Sequence, residues 1–355
     1  ALAAVVYSFA PIVGGLALGG AEGFAWGTLV GAGLGQWAIP AWALRRLPGA
    51  VGRVRVGLFD ADFREYVWLA LPLMLGVGLT TVDEWYEKWV GGTIAAGAIA
   101  SITYARKLMM APVGVVGQAV GTALLPSLAA LHERADAAGF RRLLGETLRT
   151  SLGLGLLAAG ALFSVATPVV TLLYERGRFS AGDTQVVAGL LVVLAWAVPG
   201  WVVQQVAVRG FYARGEMWRA MALSSCVAVG VFPLYWVGGA WRGVSGLATA
   251  SALAISVNAI VTVGWLRMRT GAPEIRPLLE TLGRTGLIVG ASAATARLAL
   301  EGLAVAAAPV WLGLVAGSGV YAGVAWIGIG WLGDPPLRAG VARIAGRLRR
   351  LRASA

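Results

Sequence analysis

The 355-residue chain has a single cysteine, Cys226, and a single histidine, His132. A disulfide framework, a Cys/His zinc site and a paired-cysteine redox centre are excluded at once. Charge is scarce as well: Asp, Glu, Lys and Arg make up 13% of the residues, where a soluble domain carries about a quarter. With 58% hydrophobic residues and a mean hydropathy of +0.76, the chain lacks the polar surface that a water-soluble fold of this size needs. The signatures GxSxG, GxxxxGK[ST] and HExxH are missing. No enzyme, cofactor or metal is therefore expected. His132 reads as a solvated loop residue, and Cys226, inside an apolar run, as a small core residue.

What the chain does have is apolar stretches long enough to cross a bilayer, which takes about 20 residues each. Ten can be traced: Ala1 to Leu18, Gly23 to Leu44, Tyr66 to Val90, Gly92 to Leu128, Leu148 to Leu173, Val186 to Val208, Ala220 to Val237, Val244 to Leu266, Gly286 to Leu300 and Pro309 to Leu332. No period-two alternation persists, and the 51 glycines suit helices whose backbones approach closely. The fold class expected is an all-α polytopic membrane protein. The chain opens on Ala1 inside an apolar run, so a fragment lacking an N-terminal portion is expected.

The net charge of +12 resembles a nucleic-acid signal, but the placement of the cations argues otherwise. Of 29 Lys and Arg, 22 fall in the connections after even-numbered stretches or in the C-terminal segment, including Arg45, Arg53, Arg141, Arg149, Arg214, Arg269 and Arg349. The opposite connections hold only Lys88, Arg176, Arg178 and Arg242. By the positive-inside rule this imbalance predicts a cytoplasmic C-terminus and no nucleic-acid partner. The tail from Leu337 to Arg352 also has an apolar stripe (Leu337, Val341, Ile344, Leu348) suited to the inner leaflet, so membrane lipids are expected partners. Trp68, Trp89, Trp201, Trp218, Trp241, Trp265 and Trp331 fall near stretch ends, where indole rings favour the interface.

Three cations remain inside apolar stretches: Arg106, Lys107 and Arg297. An intramembrane charge costs roughly 2.5 kcal/mol or more, so it faces a partner or a watery cavity. Arg106 and Lys107 read either as an anion site inside the bundle or as an exposed basic turn joining two segments near Pro112. Arg297 lies one turn from Glu301, which suggests snorkelling or a local ion pair. Asp83, Glu84 and Glu87 cluster in the third stretch, with Asp83 and Glu87 one turn apart on a shared face. They read as partners of Arg106 or Lys107, as an ion or proton site, or as a solvated helix end; an intramembrane enzyme is the remote alternative.

Several runs, taken together, resemble the MurJ/MviN family of lipid II flippases. They are Val82-Asp83, Gly97–Ser101, Tyr104-Ala105-Arg106-Lys107-Leu108, Pro112-Val113-Gly114 and Leu125-Pro126-Ser127-Leu128. Further on, Leu173–Ser180 with Asp183 is similar to that family's outer loop, and Arg209–Glu216 to its inner loop. Gly246-Leu247-Ala248 with Asn258 matches the helix that follows. The resemblance implies a fourteen-helix, two-lobe fold of which these ten stretches are the last ten.

It divides the chain into 1–44 (end of the N-terminal lobe), 45–65 (basic linker), 66–268 (six-helix C-terminal lobe), 269–332 (terminal pair forming a groove for a lipid tail) and 333–355 (basic tail). It implies a bacterial inner-membrane transporter with a central cavity and alternating access, moving undecaprenyl-diphosphate-linked peptidoglycan precursor. Lys107 takes the place of a family arginine, Arg106 a variable position beside it, and both are expected in the cavity with Asp83. Glu84 and Glu87 are expected as ion or salt-bridge partners. A coupling ion and cell-wall synthesis or divisome proteins are further expected partners. The chain departs from the family at Glu84, where a cation is common, and at Ala220, near a usual proline. Related readings are export of another polyprenyl-linked oligosaccharide, drug/cation antiport on the same fold, or a non-transporting membrane scaffold.

Overall fold

The computed structural model describes residues 2–45, 60–61, 63–68, 70–71, 82–95, 97–305 and 308–339. Within these residues the chain is helical and contains no strand. The expected basic linker falls largely outside them, as do the middle of the third apolar stretch and the tail beyond residue 339. The chain divides into two compact units, Ala1–Trp68 and Leu69–Ala355.

In the first unit, α1 (Leu2–Leu18) packs against α2 (Gly20–Ala32), which runs through a π-helical turn, Gly33–Ala38, into α3 (Ile39–Arg45). The α1–α2 contact is backbone on backbone. A Cβ on Gly14 would lie 2.6 Å from Gly27 Cα, so no larger residue fits. Small residues thus set this crossing, the usual means of association where lipid removes any hydrophobic drive between helices.

The second unit is built from α4 (Val82–Ile94), α5 (Ala98–Glu133), α6 (Ala137–Tyr174), α7 (Ala181–Ala195), α8 (Ala197–Tyr212), α9 (Met217–Gly230), α10 (Phe232–Thr270), α11 (Ile275–Val305) and α12 (Val310–Leu332). Helix α6 is the hub, packing against α5, α7, α8, α11 and α12. At Gly243 (φ 58°, ψ −135°) the path of α10 turns back on itself, and Gly238 and Gly246 meet through their backbones. Only glycine adopts that conformation without strain, so the sequence Gly243 separates two of the expected stretches at that point.

Among the described residues, four helical segments are long and apolar enough to cross a membrane: Ala137–Tyr174, Met217–Thr270, Ile275–Leu303 and Val310–Leu332. The pair α7–α8, bent by 43°, makes a fifth. This is fewer than the ten stretches read from hydropathy. Helix α4, at 13 residues, is too short to be counted. The outward surface is apolar: Leu16, Val229, Ile260, Leu287 and Leu298 are all exposed, as are Trp241 and Trp331. Such a surface suits hydrocarbon rather than water.

Four local expectations change. The fourth stretch is one helix through Pro112 rather than two segments meeting at an exposed turn. His132 is exposed but sits in the last turn of α5, edge-on to Phe140 at 6.4 Å. Cys226 is exposed on α9 rather than buried, because its thiol tolerates an apolar outer surface as readily as a core. The Arg297 guanidinium lies 4.0 Å from the Phe163 ring centroid, a cation–π contact rather than the ion pair with Glu301 that was one of its two expected readings.

Two carboxylates fasten the basic end of the unit. Asp334, just beyond α12 and 1% exposed, accepts from Arg149 at 2.9 Å and from Thr281, with Arg284 at 3.7 Å. It ties the terminal pair α11–α12 to α6, where Tyr321 also donates to the Leu157 carbonyl at 2.7 Å. Glu216 joins the α8–α9 turn to the end of α10 through Arg214, Arg219 and Arg269 at 3.1–3.3 Å.

Removing one partner of a buried pair costs roughly 3–5 kcal/mol, while an exposed pair contributes at most about 1 kcal/mol. Asp334→Ala is therefore expected to lower the Tm in detergent far more than Arg276→Ala, which breaks only the exposed pair with Glu280. Equal shifts would contradict the fastening role. Burial pushes the Glu216 carboxyl up, but hydrogen bonds from Arg219, Arg214 and Arg269 outweigh it and hold the group below its ordinary 4.5. A carboxyl lowered on folding stabilises above its unfolded pKa and loses that contribution as pH falls through the folded value. Glu216→Gln should flatten the fall of Tm below about pH 4.5 relative to the unaltered chain; parallel acid limbs would refute this.

Candidate functional site

The sequence places Arg106 and Lys107 side by side on α5, and helical geometry separates them. Neighbouring side chains point about 100° apart, so one can face the core while the next faces outward. The buried face of α5 carries Ile102, Ala105, Met109 and Val113, packed in a cluster with Leu191, Val198, Tyr235 and Leu247. Arg106 belongs to this face and is 8% exposed. The opposite stripe, Ala100, Tyr104, Lys107, Met110, Ala111 and Gly114, is open.

A guanidinium enclosed this way must be matched. Glu87, 3% exposed on α4, receives it in a two-pronged pair: Arg106 Nε donates to Oε2 at 3.1 Å, and Arg106 Nη2 donates to Oε1. Arg106 Nη2 also donates to Ser251 Oγ on α10 at 2.8 Å. Asp83, one turn before Glu87 and half-buried, faces the same guanidinium, with Tyr235 of α10 beside it. Three helices thus converge on one positive charge.

Of the expected site residues, the structure brings Arg106, Asp83 and Glu87 together. Glu84 stands apart, 3.7 Å from Lys88 in an exposed pair one turn along α4. Lys107 is exposed and, among the described residues, has no ion-pair partner. The two neighbouring cations are therefore placed differently: Arg106 is paired with a carboxylate within the bundle, and Lys107 is exposed on the opposite face of α5. Ser251 and Tyr235 were not foreseen. Neither is charged, and only their polarity within an otherwise apolar helix hinted at a buried partner.

The outer-loop run has a local explanation. Gly177 turns with φ 63°. Ser180 then caps α7 in a capping box, its Oγ accepting from Asp183 N at 3.3 Å while Asp183 accepts from Ser180 N at 2.8 Å. Thr184 donates to Glu175 at 2.7 Å across the same turn. Tyr174, tilted at 4.8 Å, and Phe179, edge-on at 5.8 Å, pack against Tyr104 at one end of the open stripe. At the other matched helix, Gln204 donates to Asn258 at 3.4 Å.

Replacing Glu87 by Gln leaves the Arg106 charge buried without its counter-charge, at an expected cost of roughly 3–5 kcal/mol. In a double-mutant cycle, Arg106→Met with Glu87→Leu should recover most of the stability lost by either single variant. Additive losses would show that the two side chains do not act as a pair.

Comparison with known proteins bears on what this geometry serves. A family model described as lipid II flippase MurJ matches residues 1–310. The probable lipid II flippase MurJ of Rhizobium meliloti (strain 1021) is 32% identical over 286 residues, covering 79% of this chain and 52% of that protein. The probable lipid II flippase MurJ of Bdellovibrio bacteriovorus is 25% identical over 314 residues, covering 86% and 59%. The chain spans about half the length of the curated relatives it matches. Among solved structures, a lipid II flippase MurJ in an inward closed conformation is similar in fold, with a TM-score of 0.70, 16% identity, and coverage of 92% of this chain and 67% of that one. An outward-facing multidrug resistance MATE transporter of the MOP superfamily is more distant, with a TM-score of 0.50, 17% identity, and coverage of 74% and 64%.

Proposed function

The chain belongs to the lipid II flippase MurJ family, and from that premise we propose that it carries the C-terminal part of a machine moving lipid II from the inner to the outer leaflet. In this reading it crosses the membrane ten times, with its basic connections and its C-terminus in the cytoplasm. Residues 1–44 supply the last two helices of one lobe, 66–268 the six-helix second lobe, and 269–332 a terminal pair that holds the isoprenoid tail.

One observation carries the proposal: Lys107 has no ion-pair partner among the described residues and lies on an open stripe of α5, fixed there by the inward pairing of its neighbour Arg106. The barrier to flipping is the charged diphosphate headgroup, since hydrocarbon leaves polar groups unsatisfied. An ammonium on the open stripe replaces part of the lost hydration. As a point charge it lacks the two-pronged grip of arginine but remains a competent partner for phosphate. Arg106 and Asp83 act from within the bundle, holding α4, α5 and α10 in register so that Lys107 stays on the path. Alternating access then follows from rocking of packed helices about this site.

The test is rescue of cells depleted of their own lipid II flippase by the gene that encodes this chain, read as growth and as lipid II exposed on the outer face. Lys107→Ala should abolish rescue and reduce outward exposure at least about tenfold, the weight of one charge-assisted contact. Lys107→Arg should preserve rescue. Full rescue by Lys107→Ala at normal expression would overturn the role of Lys107, and failure of the unaltered gene would overturn the flippase reading itself.

A further inference from the structure

At the basic end of the second unit lies a cavity of about 540 Å³ that plays no part in the site above. One wall is the start of α6, with Arg141, Arg142, Gly145 and Arg149; the other is the turn from α10 into α11, with Gly271 and Glu274. Residues 141, 145 and 149 are four apart, so they occupy successive turns of one helical face. Two arginines therefore flank a residue with no side chain. A Cβ on Gly145 would meet no atom within 4 Å, which leaves the space between them empty.

The charges in this cavity are unevenly matched. Arg149 is held by Asp334 at 2.9 Å. Arg142 pairs with Glu146 at 3.0 Å, but the two side chains are 81% and 51% exposed, so this pair is weak and easily exchanged. Arg141 has no carboxylate partner among the described residues. The αL turn at Gly271 (φ 77°) faces the stem of Arg141: a Cβ added there would come within 3.4 Å of Arg141 Cδ. Glu274, just before α11, is exposed and free to turn to solvent. A guanidinium with no carboxylate partner among the described residues, beside an exchangeable one, presents planar forks that match phosphate oxygens.

The setting favours a lipid as the source of that phosphate. The cavity sits where α10 ends and α11 begins, among the basic residues Arg267, Arg269 and Arg276. Met268, Ile275 and Leu279 on those same helix ends are exposed and apolar. Acyl chains need such a surface next to a basic headgroup pocket.

We propose that this cavity is a binding site for a phosphate-bearing anion, supplied by the headgroup of an anionic phospholipid in the leaflet that meets the basic loops. The site is separate from Lys107, and its occupancy stands whether or not the chain moves lipid II. Occupancy clamps the α10–α11 turn onto α6 and so steadies the terminal helix pair.

The experiment is thermal unfolding of the detergent-purified chain titrated with dioctanoyl phosphatidylglycerol, with dioctanoyl phosphatidylcholine and inorganic phosphate as parallel arms at constant ionic strength. Phosphatidylglycerol should raise Tm saturably, and phosphatidylcholine should not. Arg141→Ala should raise the half-saturating concentration about tenfold, the loss of one charge-assisted contact. Gly145→Leu removes no charge and favours the helix, yet fills the gap, and should weaken the effect at least as much. Equal protection by inorganic phosphate would reassign the site to a free anion and remove the lipid. A shift shared by phosphatidylcholine, or one that persists in both variants, would overturn the proposal.

Discussion

The structure of the second unit turns on one buried charge. Arg106 lies in the apolar core of a helical bundle, where a lone guanidinium costs several kcal/mol. Its cost is met only because α4 delivers Glu87 with a two-pronged grip and α10 delivers Ser251 to the same group. A hydrocarbon surround offers helices no hydrophobic reason to associate, so such a contact acts as a registration point as well as a neutralisation. Once Arg106 faces inward, Lys107 cannot, and the open stripe of α5 acquires its single cation. The buried, paired cation and the exposed one proposed to meet the cargo are thus separated by one residue and about 100° of helical rotation.

The same logic operates at the basic end of the unit. Asp334 and Glu216 each gather arginines from several helices, and each is deep enough for the pairing to affect register rather than only solubility. These two anchors close the connections that the cavity beside Arg141 leaves partly open. The terminal pair α11–α12 is attached to α6 through Asp334 at one end and Tyr321 further along.

Much of this was legible in the sequence. Hydropathy and the lack of period-two alternation gave the helical class. The pair Arg106–Lys107 stood out because charge inside an apolar run needs a reason, and the one-turn spacing of Asp83 and Glu87 marked a shared face. What sequence left open was which acid meets which base. Adjacent cations look alike in a sequence, and only the rotation of α5 against α4 decides that Arg106 turns inward. Ser251 lies 145 residues from Arg106, Asp334 lies 185 from Arg149, and no local pattern announces pairs so far apart. For Arg297, Glu301 one turn away suggested an ion pair, but the contact made is with the Phe163 ring on α6, 134 residues away in sequence.

The central claim is that Lys107 faces a water-filled path while its neighbours on the inner face of α5 do not. It is tested most directly by cysteine accessibility in a Cys226→Ser background, with Lys107→Cys compared with Ala105→Cys, whose site is fully buried. The account predicts that a charged, membrane-impermeant methanethiosulfonate modifies Lys107→Cys, that undecaprenyl diphosphate slows this reaction, and that Ala105→Cys stays unmodified. An unreactive Lys107→Cys in the folded protein would place that stripe against lipid and contradict the account.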